Sequence, residues 1–415
     1  MKNRQICALD VGTGTIRAAT AEVLGKDNIK IIKKGTAPSA GMKGGAVVDM
    51  DDLAMAVRKA LDQAEVSPGP KIKEVYASMI GGRLRTTERY GVVMVKNDAS
   101  GVTDSDVDRV LQKAREEPIP SDEEVIHLTP SEFAVDGVGG VRQPAGMAGQ
   151  RLDVKAILLL AKKAPAENLL RSIDGSVVKV KALGVQPFMA AEAVLDGVEK
   201  KDGVILIDMG AGTTDVAVFG GGSLRQASMI RMGGNHLTRD ISVGLRIPWP
   251  QAEEIKVKDG TVSRLDASKK TDSIYLSALG GKENRKISHT TVAEILEARV
   301  QEISSEVKQQ LGEVDFNDYF PRKFVLTGGG SYLSGIKEYL ERELRLPGRI
   351  GLPKMPGGLP AELVKPENAV LVGLMCFGQK HFLNEVSKEN QREEMKLVDR
   401  NILSRIKTIW QDFLR

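Results

Sequence analysis

Two short stretches of this chain repeat one plan, and few folds accommodate such a pair. They are "RQICALDVGTGTIRAATAEV" (4–23) and "LIDMGAGTTDVAVF" (206–219). Each reads as an apolar strand that ends on an aspartate, a Gly-Thr turn, and a second apolar strand. The aspartates, Asp10 and Asp208, stand 198 residues apart (208 minus 10). A hairpin unit repeated at that distance implies two related domains facing one another. A third glycine turn, in "FVLTGGGSYLSGIKEYLEREL", runs from a strand into a helix with Leu333, Ile336, Leu340 and Leu344 on one face. A fourth glycine turn is expected in "AVLVGLMCFG", ending at Gly378.

A Gly-Thr turn between strands aims backbone N–H groups at one point, and such a nest binds phosphate oxygens. The hydroxyls of Thr13, Thr15, Thr213 and Thr214 add donors. Gly12, Gly14, Gly210 and Gly212, lacking Cβ atoms, let a ligand come close. An aspartate just before each turn would repel phosphate unless a cation stood between them. Magnesium, held by Asp10 and Asp208 largely through waters, meets that need. The chain has no G-x-x-x-x-G-K-[ST] loop and no G-x-G-x-x-G turn opening a helix. The paired turns therefore predict a magnesium–nucleotide site of another kind.

The totals agree with a multidomain α/β protein. At 415 residues the chain is long for one domain, and aromatics are scarce (4%) beside 43 glycines. A net charge of +4 gives no support to a nucleic-acid role. Cys7 and Cys376 lie in apolar runs and read as buried thiols. The four histidines show no ligand spacing, so no histidine metal site is expected. No leader and no 18-residue apolar span is visible, which predicts a cytoplasmic chain that does not cross a membrane.

Between the repeats, residues 86–160 form a block of their own. "SGVTDSDVDRVLQKARE" opens on a Thr/Asp cap and carries Val107, Val110, Leu111 and Ala114 at helical spacing. Strands in "EVIHLTPSEFAV" and "DVKAILLLA" flank a Gly/Pro-rich loop. A second insertion is expected over 246–300. After Gly378 the chain turns charged, and "NEVSKENQREEMKLVDR" (384–400) reads as a flexible linker.

The paired turns and the later T-G-G-G resemble the actin, sugar-kinase and heat-shock-chaperone superfamily. That resemblance implies an α/β, two-domain, ribonuclease-H-like fold whose hairpins clasp the phosphates of ATP. It assigns Asp10, Gly12, Thr13, Gly14 and Thr15 to the first phosphate loop, and Asp208, Gly210, Gly212, Thr213 and Thr214 to the second. Gly233 and Gly234 join the nucleotide set, and Gly328, Gly329 and Gly330 form the adenosine loop. In "AEEIK" (252–256), Glu253 and Lys256 match the acid and lysine that flank the nucleoside, or form a solvated charged helix. "ALGVQPFMAAEAVLDG" (182–197) is similar to the connecting helix, where relatives often carry a glutamate; here Gln186 stands there. Glutamine can orient a water but cannot take its proton, so at most slow ATP hydrolysis is implied, with Asp215 an acid in reach in either a catalytic or a structural role.

The 86–160 block with "PAGMAGQRL", the stretch "IRMGGNHLTRDISVGLRIP" and the chain's last helix together resemble the bacterial FtsA cell-division family. That family implies an actin-like polymer that binds ATP, tethers FtsZ to the inner membrane face at the septum, and contacts later division proteins through 86–160. The implied segments are 1–85, 161–198 and 366–383 for the first domain, around the 86–160 subdomain. The second domain takes 199–245 and 301–365, with its own insertion at 246–300. "GGKENRKISHTTVAEILEARV" matches the segment that reads the FtsZ tail, placing Arg285 and Arg299 on basic positions for an acidic, apolar peptide. The alternative for Arg299 is an ordinary ion pair on its own helix.

In "NILSRIKTIWQDFLR" (401–415), Ile402, Leu403, Ile406, Ile409, Trp410, Phe413 and Leu414 share one helical face. A helix of that length, about 22 Å, is too short to span a bilayer core of ~30 Å. It predicts an amphipathic helix lying in an anionic membrane surface, making the protein peripheral. Partial burial of the seven side chains is worth on the order of 5–10 kcal/mol before ordering costs, so a polymer would bind far more firmly than one chain. Two other readings of the same fold are a pilus-assembly adaptor and a chaperone- or kinase-type ATPase.

Overall fold

A computed structural model describes residues 4–392, apart from 27, 68, 70, 80–83, 97–100, 117, 277–284 and 313–319, with backbone alone from 386 to 392. The repeated hairpins form the centres of two five-stranded sheets. In the first sheet the order is Lys179–Val185, Glu74–Met79, Gln5–Val11, Thr15–Gly25, Asn28–Pro38. In the second it is Ser223–Ile230, Thr214–Gly220, Val204–Met209, Lys323–Thr327, Gly348–Ile350. Each central strand pairs antiparallel with its hairpin partner and parallel with a later strand. Asp10 and Asp208 are each the last residue but one of their central strand.

The central strands are buried on both faces and read as continuous apolar runs, as parallel-sheet strands do. One core covers the first sheet with the helices Met50–Ala64, Gln186–Val194 and Ala369–Arg392. A second core joins the other sheet to the helices Gly234–Leu245, Trp249–Asp259 and His289–Gly312.

The inserted block is a four-stranded sheet with its own small core, in the order Arg85–Met94, Arg151–Lys162, Glu123–Val135, Val138–Val141. Its helix, Asp104–Arg115, begins with a reciprocal cap. Thr103 Oγ1 accepts from the Asp106 N–H (3.2 Å), and Asp106 Oδ2 accepts from the Thr103 N–H (3.0 Å). The insert also touches the second domain, where Arg225 donates to Ser131 Oγ.

The structure departs from the sequence reading at two boundaries. The last part of the expected insertion 246–300 belongs to the second core, where Val292, Leu296 and Val300 are buried with Ile303 and Val307. The boundary set at 300 falls inside the unbroken helix His289–Gly312. The expected linker from 384 likewise begins within Ala369–Arg392, since "NEVSKENQR" contains no glycine or proline to stop a helix. The remainder of the linker, from 393, and the segment 401–415 lie outside the described residues.

The fourth glycine turn is also corrected. Residues 369–378 are helical, and their glycines serve packing. A Cβ on Gly373 would sit well inside contact distance of the Met189 carbonyl oxygen, and one on Gly378 would come 2.9 Å from the Tyr76 ring. The helix thus lies directly on its neighbour Gln186–Val194 and on the sheet. Gly373→Ala gains about 1 kcal/mol of helix propensity, yet forces two close-packed helices apart at a cost of about 1–3 kcal/mol or more. The expected result is a lower thermal unfolding midpoint. A midpoint equal to or above that of the parent would show that the helices are not in backbone contact.

Candidate nucleotide site between the domains

Both Gly-Thr turns close with the same hydrogen bond. The Gly12 N–H donates to Thr15 O (3.2 Å), and the Gly210 N–H donates to Thr213 O (2.9 Å). The two turns meet across the domain boundary. A Cβ on Gly14 would come 2.6 Å from Ala211 Cβ, and one on Gly212 would come 2.5 Å from Thr13 Cγ2. Only glycine permits that approach. The Thr13 hydroxyl is buried there without a hydrogen-bond partner among the described residues. A buried, unsatisfied donor costs about 1–3 kcal/mol, and a phosphate oxygen arriving between the turns would satisfy it.

Three carboxylates converge beneath the turns. Asp10 is buried and accepts from Ser78 Oγ (3.0 Å) and, at 3.5 Å, from the Gln186 amide. Asp208 and Asp215 are buried register partners across the second hairpin. Burial pushes the pKa of Asp10 up, opposed by the Arg17 guanidinium and the hydroxyl of Ser78. Burial and the neighbouring Asp10 charge push Asp208 up to about 7. Asp215 stands well above the ordinary carboxylate range, again through burial and then the charge of Asp208. This is a site whose acids gain from an added cation.

The rim is completed by the second domain and the return to the first. Gly328 adopts φ +79°, and a Cβ there would strike Asp208 Oδ1. The loop 328–330 therefore lies against the second Gly-Thr turn. Lys256 Nζ donates to Glu253 (2.7 Å), Thr238 Oγ1 (2.9 Å) and Gly234 O (3.2 Å), so the pair expected in "AEEIK" is one tied cluster at the wall.

Together these elements enclose a cavity of about 580 Å³, a size typical of small-molecule sites. Asp10, Gly12, Thr13, Gly14, Thr15, Gln186, Asp208, Gly210, Thr213, Asp215, Gly234, Glu253, Lys256 and Gly328 to Gly330 line it.

Three expected residues stand behind the lining. Gly212 contacts Thr13, Thr214 Oγ1 donates to Met232 O (2.8 Å), and a Cβ on Gly233 would come 2.5 Å from Gly210 O. Sequence reasoning missed Arg17, Asn235, Tyr332 and Glu367 among the lining residues. Arg17 had a legible signal: a lone cation in an apolar strand, directly opposite Asp10 in the hairpin. Tyr332 and Glu367 had none, since their hydrogen bond (2.6 Å) joins segments 35 residues apart.

The donor set suits magnesium only as a shared ligand. Among the described residues no group of three or more His, Cys, Asp or Glu side chains could hold a metal ion by itself. Asp10 and Asp208 could hold magnesium where phosphate oxygens and waters complete its shell. Gln186 is committed elsewhere: its amide nitrogen donates toward Val11 O (3.3 Å), Ser78 Oγ (3.3 Å) and Asp10. It braces the first acid.

The two arginines expected at a partner site sit away from the cavity. Arg299 forks onto Asp240 (2.6 and 3.0 Å) and also pairs with Glu302 on its own helix. Arg285 is exposed and donates to Leu245 O.

Comparison with known proteins places this site in a family context. A family model described as the cell division protein FtsA matches residues 205–373, and one described as the SHS2 domain inserted in FtsA matches 81–160. The chain is 34% identical over 407 residues to the cell division protein FtsA of Neisseria meningitidis serogroup B, covering 98% of each chain. It is 32% identical to that of Bacillus subtilis, covering 91% of this chain and 84% of the relative, and 29% identical to that of Escherichia coli K12, covering 93% of each.

Among solved structures, the PilM–PilN type IV pilus biogenesis complex aligns with a TM-score of 0.61 and 17% identity, over 90% of this chain and 98% of that one. MreB5 of Spiroplasma citri bound to ADP aligns with a TM-score of 0.55 and 16% identity, over 92% and 100%. At those identities the likeness is one of fold: actin-like, with two domains and an insert.

The raised pKa of Asp208 sets a sign for pH dependence. Folded, the group keeps a proton up to about pH 7; unfolded, it loses that proton near pH ~3.9. Ionising it therefore costs the nucleotide-free fold stability as pH rises through that window. Asp208→Asn should raise the unfolding midpoint of the nucleotide-free protein at pH 8, flatten its pH slope, and abolish Mg-dependent retention of ATP. A lower midpoint at pH 8 would contradict the burial argument, and unchanged retention would remove the metal role.

Proposed function

We propose that this chain, which belongs to the FtsA family of cell-division proteins, binds Mg-ATP between its two domains and polymerises like actin. In this reading it anchors FtsZ filaments to the cytoplasmic face of the membrane at the division septum. The observation that carries the nucleotide part is the pair of touching Gly-Thr turns with the unpartnered Thr13 hydroxyl between them. The ADP in the MreB5 relative of the same fold is consistent with it. Asp10 and Asp208 would hold the ion, which supplies charge neutralisation at the phosphates. Gly328 to Gly330, with Glu253 and Lys256, would take the nucleoside.

Hydrolysis in this reading is slow. Gln186 carries no group that accepts a proton from water, and its amide nitrogen already serves Asp10. Asp215 is buried, and burial with the charge of Asp208 holds its carboxyl well above the ordinary carboxylate range, so its ionised form is disfavoured. The nucleotide then acts chiefly to set the angle between the domains and so the state of the filament.

Two partners complete the proposal. The tail peptide of FtsZ would meet Arg285 and Arg299, an acidic side chain replacing Asp240 or Glu302 on the Arg299 fork. Residues 401–415 would lie in the anionic membrane surface, and the 86–160 block would receive later division proteins. Among the described residues no helix is long and apolar enough to cross a membrane.

Two measurements test these assignments. Deleting 401–415 should remove co-sedimentation with anionic liposomes in the presence of ATP; binding that survives the deletion would end the tether reading. Arg299→Glu should weaken binding of an FtsZ C-terminal peptide by about tenfold or more, read by fluorescence anisotropy. Undiminished affinity would show that the arginine serves only its own ion pairs.

A further inference from the structure

We infer that the edge of the first domain opposite the nucleotide site is a second membrane contact, recognising an anionic bilayer directly. The inference rests on the membrane reading of the tail but on different residues. Three parallel strands end at the cleft, bringing Asp10, Ser78 and Gln186 together there. Their starts must therefore lie at the far edge, about 20 Å away for strands of six or seven residues. Basic residues stand at those starts: Arg4, Lys73 and Lys179, with Lys71 just before them.

The hairpin turn after Thr15–Gly25 adds Lys26 to the same edge, because the Val23 N–H donates to Arg4 O (2.8 Å). All five cations are exposed, and none forms an ion pair among the described residues. The exposed acid at these strand starts is Glu74.

A second observation falls on the same edge. Val177 follows the helix Lys163–Gly175 in a position that usually takes glycine, at φ +68°, and is 83% exposed. A β-branched residue held in the left-handed region costs about 1–2 kcal/mol, and here nothing in the fold receives its side chain. Two residues later Lys179 begins its strand, its N–H donating to Lys73 O (2.9 Å). An apolar tip maintained against strain beside a row of lysines fits the boundary between headgroups and acyl chains.

The tail leaves from this edge. The helix Ala369–Arg392 starts beside the cavity, which Val370 lines, and runs away from it. Gln379 Nε2 donates to Gly25 O (2.7 Å) and Lys26 O (3.1 Å), and Glu385 pairs with Lys181 (2.6 Å). The seven residues that follow Glu385, as far as Arg392, carry the chain about 10 Å further, and 393–400 extend at most ~28 Å before the amphipathic segment. A tail seated in the bilayer would therefore keep the lysine edge within a short reach of the lipid headgroups.

The test uses the full chain and sedimentation with mixed phosphatidylglycerol–phosphatidylcholine vesicles, against phosphatidylcholine alone. Replacing Lys26, Lys73 and Lys179 by Gln should weaken binding to the mixed vesicles on the order of 100-fold, about fivefold for each lysine. Binding to phosphatidylcholine alone should hardly change. Val177→Gly should weaken binding a few-fold while raising the thermal midpoint, a pairing that loss of folding cannot produce. If the triple variant binds mixed vesicles like the parent while deletion of 401–415 abolishes binding, this inference fails and the tether reading stands. If the deletion leaves binding intact and the triple variant loses it, the tether reading fails and the lysine edge stands. An equal loss on phosphatidylcholine alone would mean that the lysines do not read lipid charge, and would overturn the inference.

Discussion

Burial of like charges governs this molecule. Asp10, Asp208 and Asp215 are held out of water at the ends of facing hairpins, where the charge of Asp10 raises the cost of ionising Asp208, and that of Asp208 the cost of ionising Asp215. A fold accepts such a cluster only when something else is gained, because removing even one charge from water is expensive. Ser78, Gln186 and Arg17 meet part of the need at Asp10. Among the described residues Asp208 has no comparable set of donors, and burial with the Asp10 charge pushes it up to about 7. In the proposed reading a cation and phosphate at this site would recover what folding leaves unmet.

That constraint reaches outward through the glycines. The acids can lie beneath both turns only if the turns touch, which requires bare Cα atoms at Gly14 and Gly212. The loop 328–330 can close over Asp208 only if Gly328 has no side chain and a positive φ. Sheet order then places the hairpins so that both aspartates come to the domain boundary. The insert, the second-domain helices and the terminal helix surround that arrangement without altering it.

The strand-turn-strand repeat and the actin-like fold were legible because their signals are local. Aspartate, Gly-Thr turn and flanking apolar strands stand within 20 residues of one another in each copy, and the period relating them is visible by inspection. The capped helix Asp104–Arg115 was legible for the same reason. What escaped depends on contacts between distant segments. Gly373 and Gly378 look like turn glycines in one dimension, and only the presence of Met189 and Tyr76 explains them. Tyr332 and Glu367 enter the cavity wall through a pairing that no spacing rule announces. The helix His289–Gly312 ran past the expected boundary at 300 because one core continues along it.

The packing of the terminal helix bears on how a bound nucleotide could act at a distance. Close packing of Gly373 on the Met189 backbone and of Gly378 on the Tyr76 ring hinders the helix Ala369–Arg392 from sliding over Gln186–Val194 or over the sheet. Interiors this close are rigid on that scale. The helix therefore moves with the first domain as one body, its start in the cavity wall and its far part beside the lysine edge. A nucleotide that closes the cleft would then leave the edge and the tail's departure point fixed relative to each other. What it would change is the tilt of the second domain against them. Since Arg285 and Arg299 belong to that second domain, nucleotide state would alter where a bound filament stands relative to the membrane, and not whether the chain is attached to it.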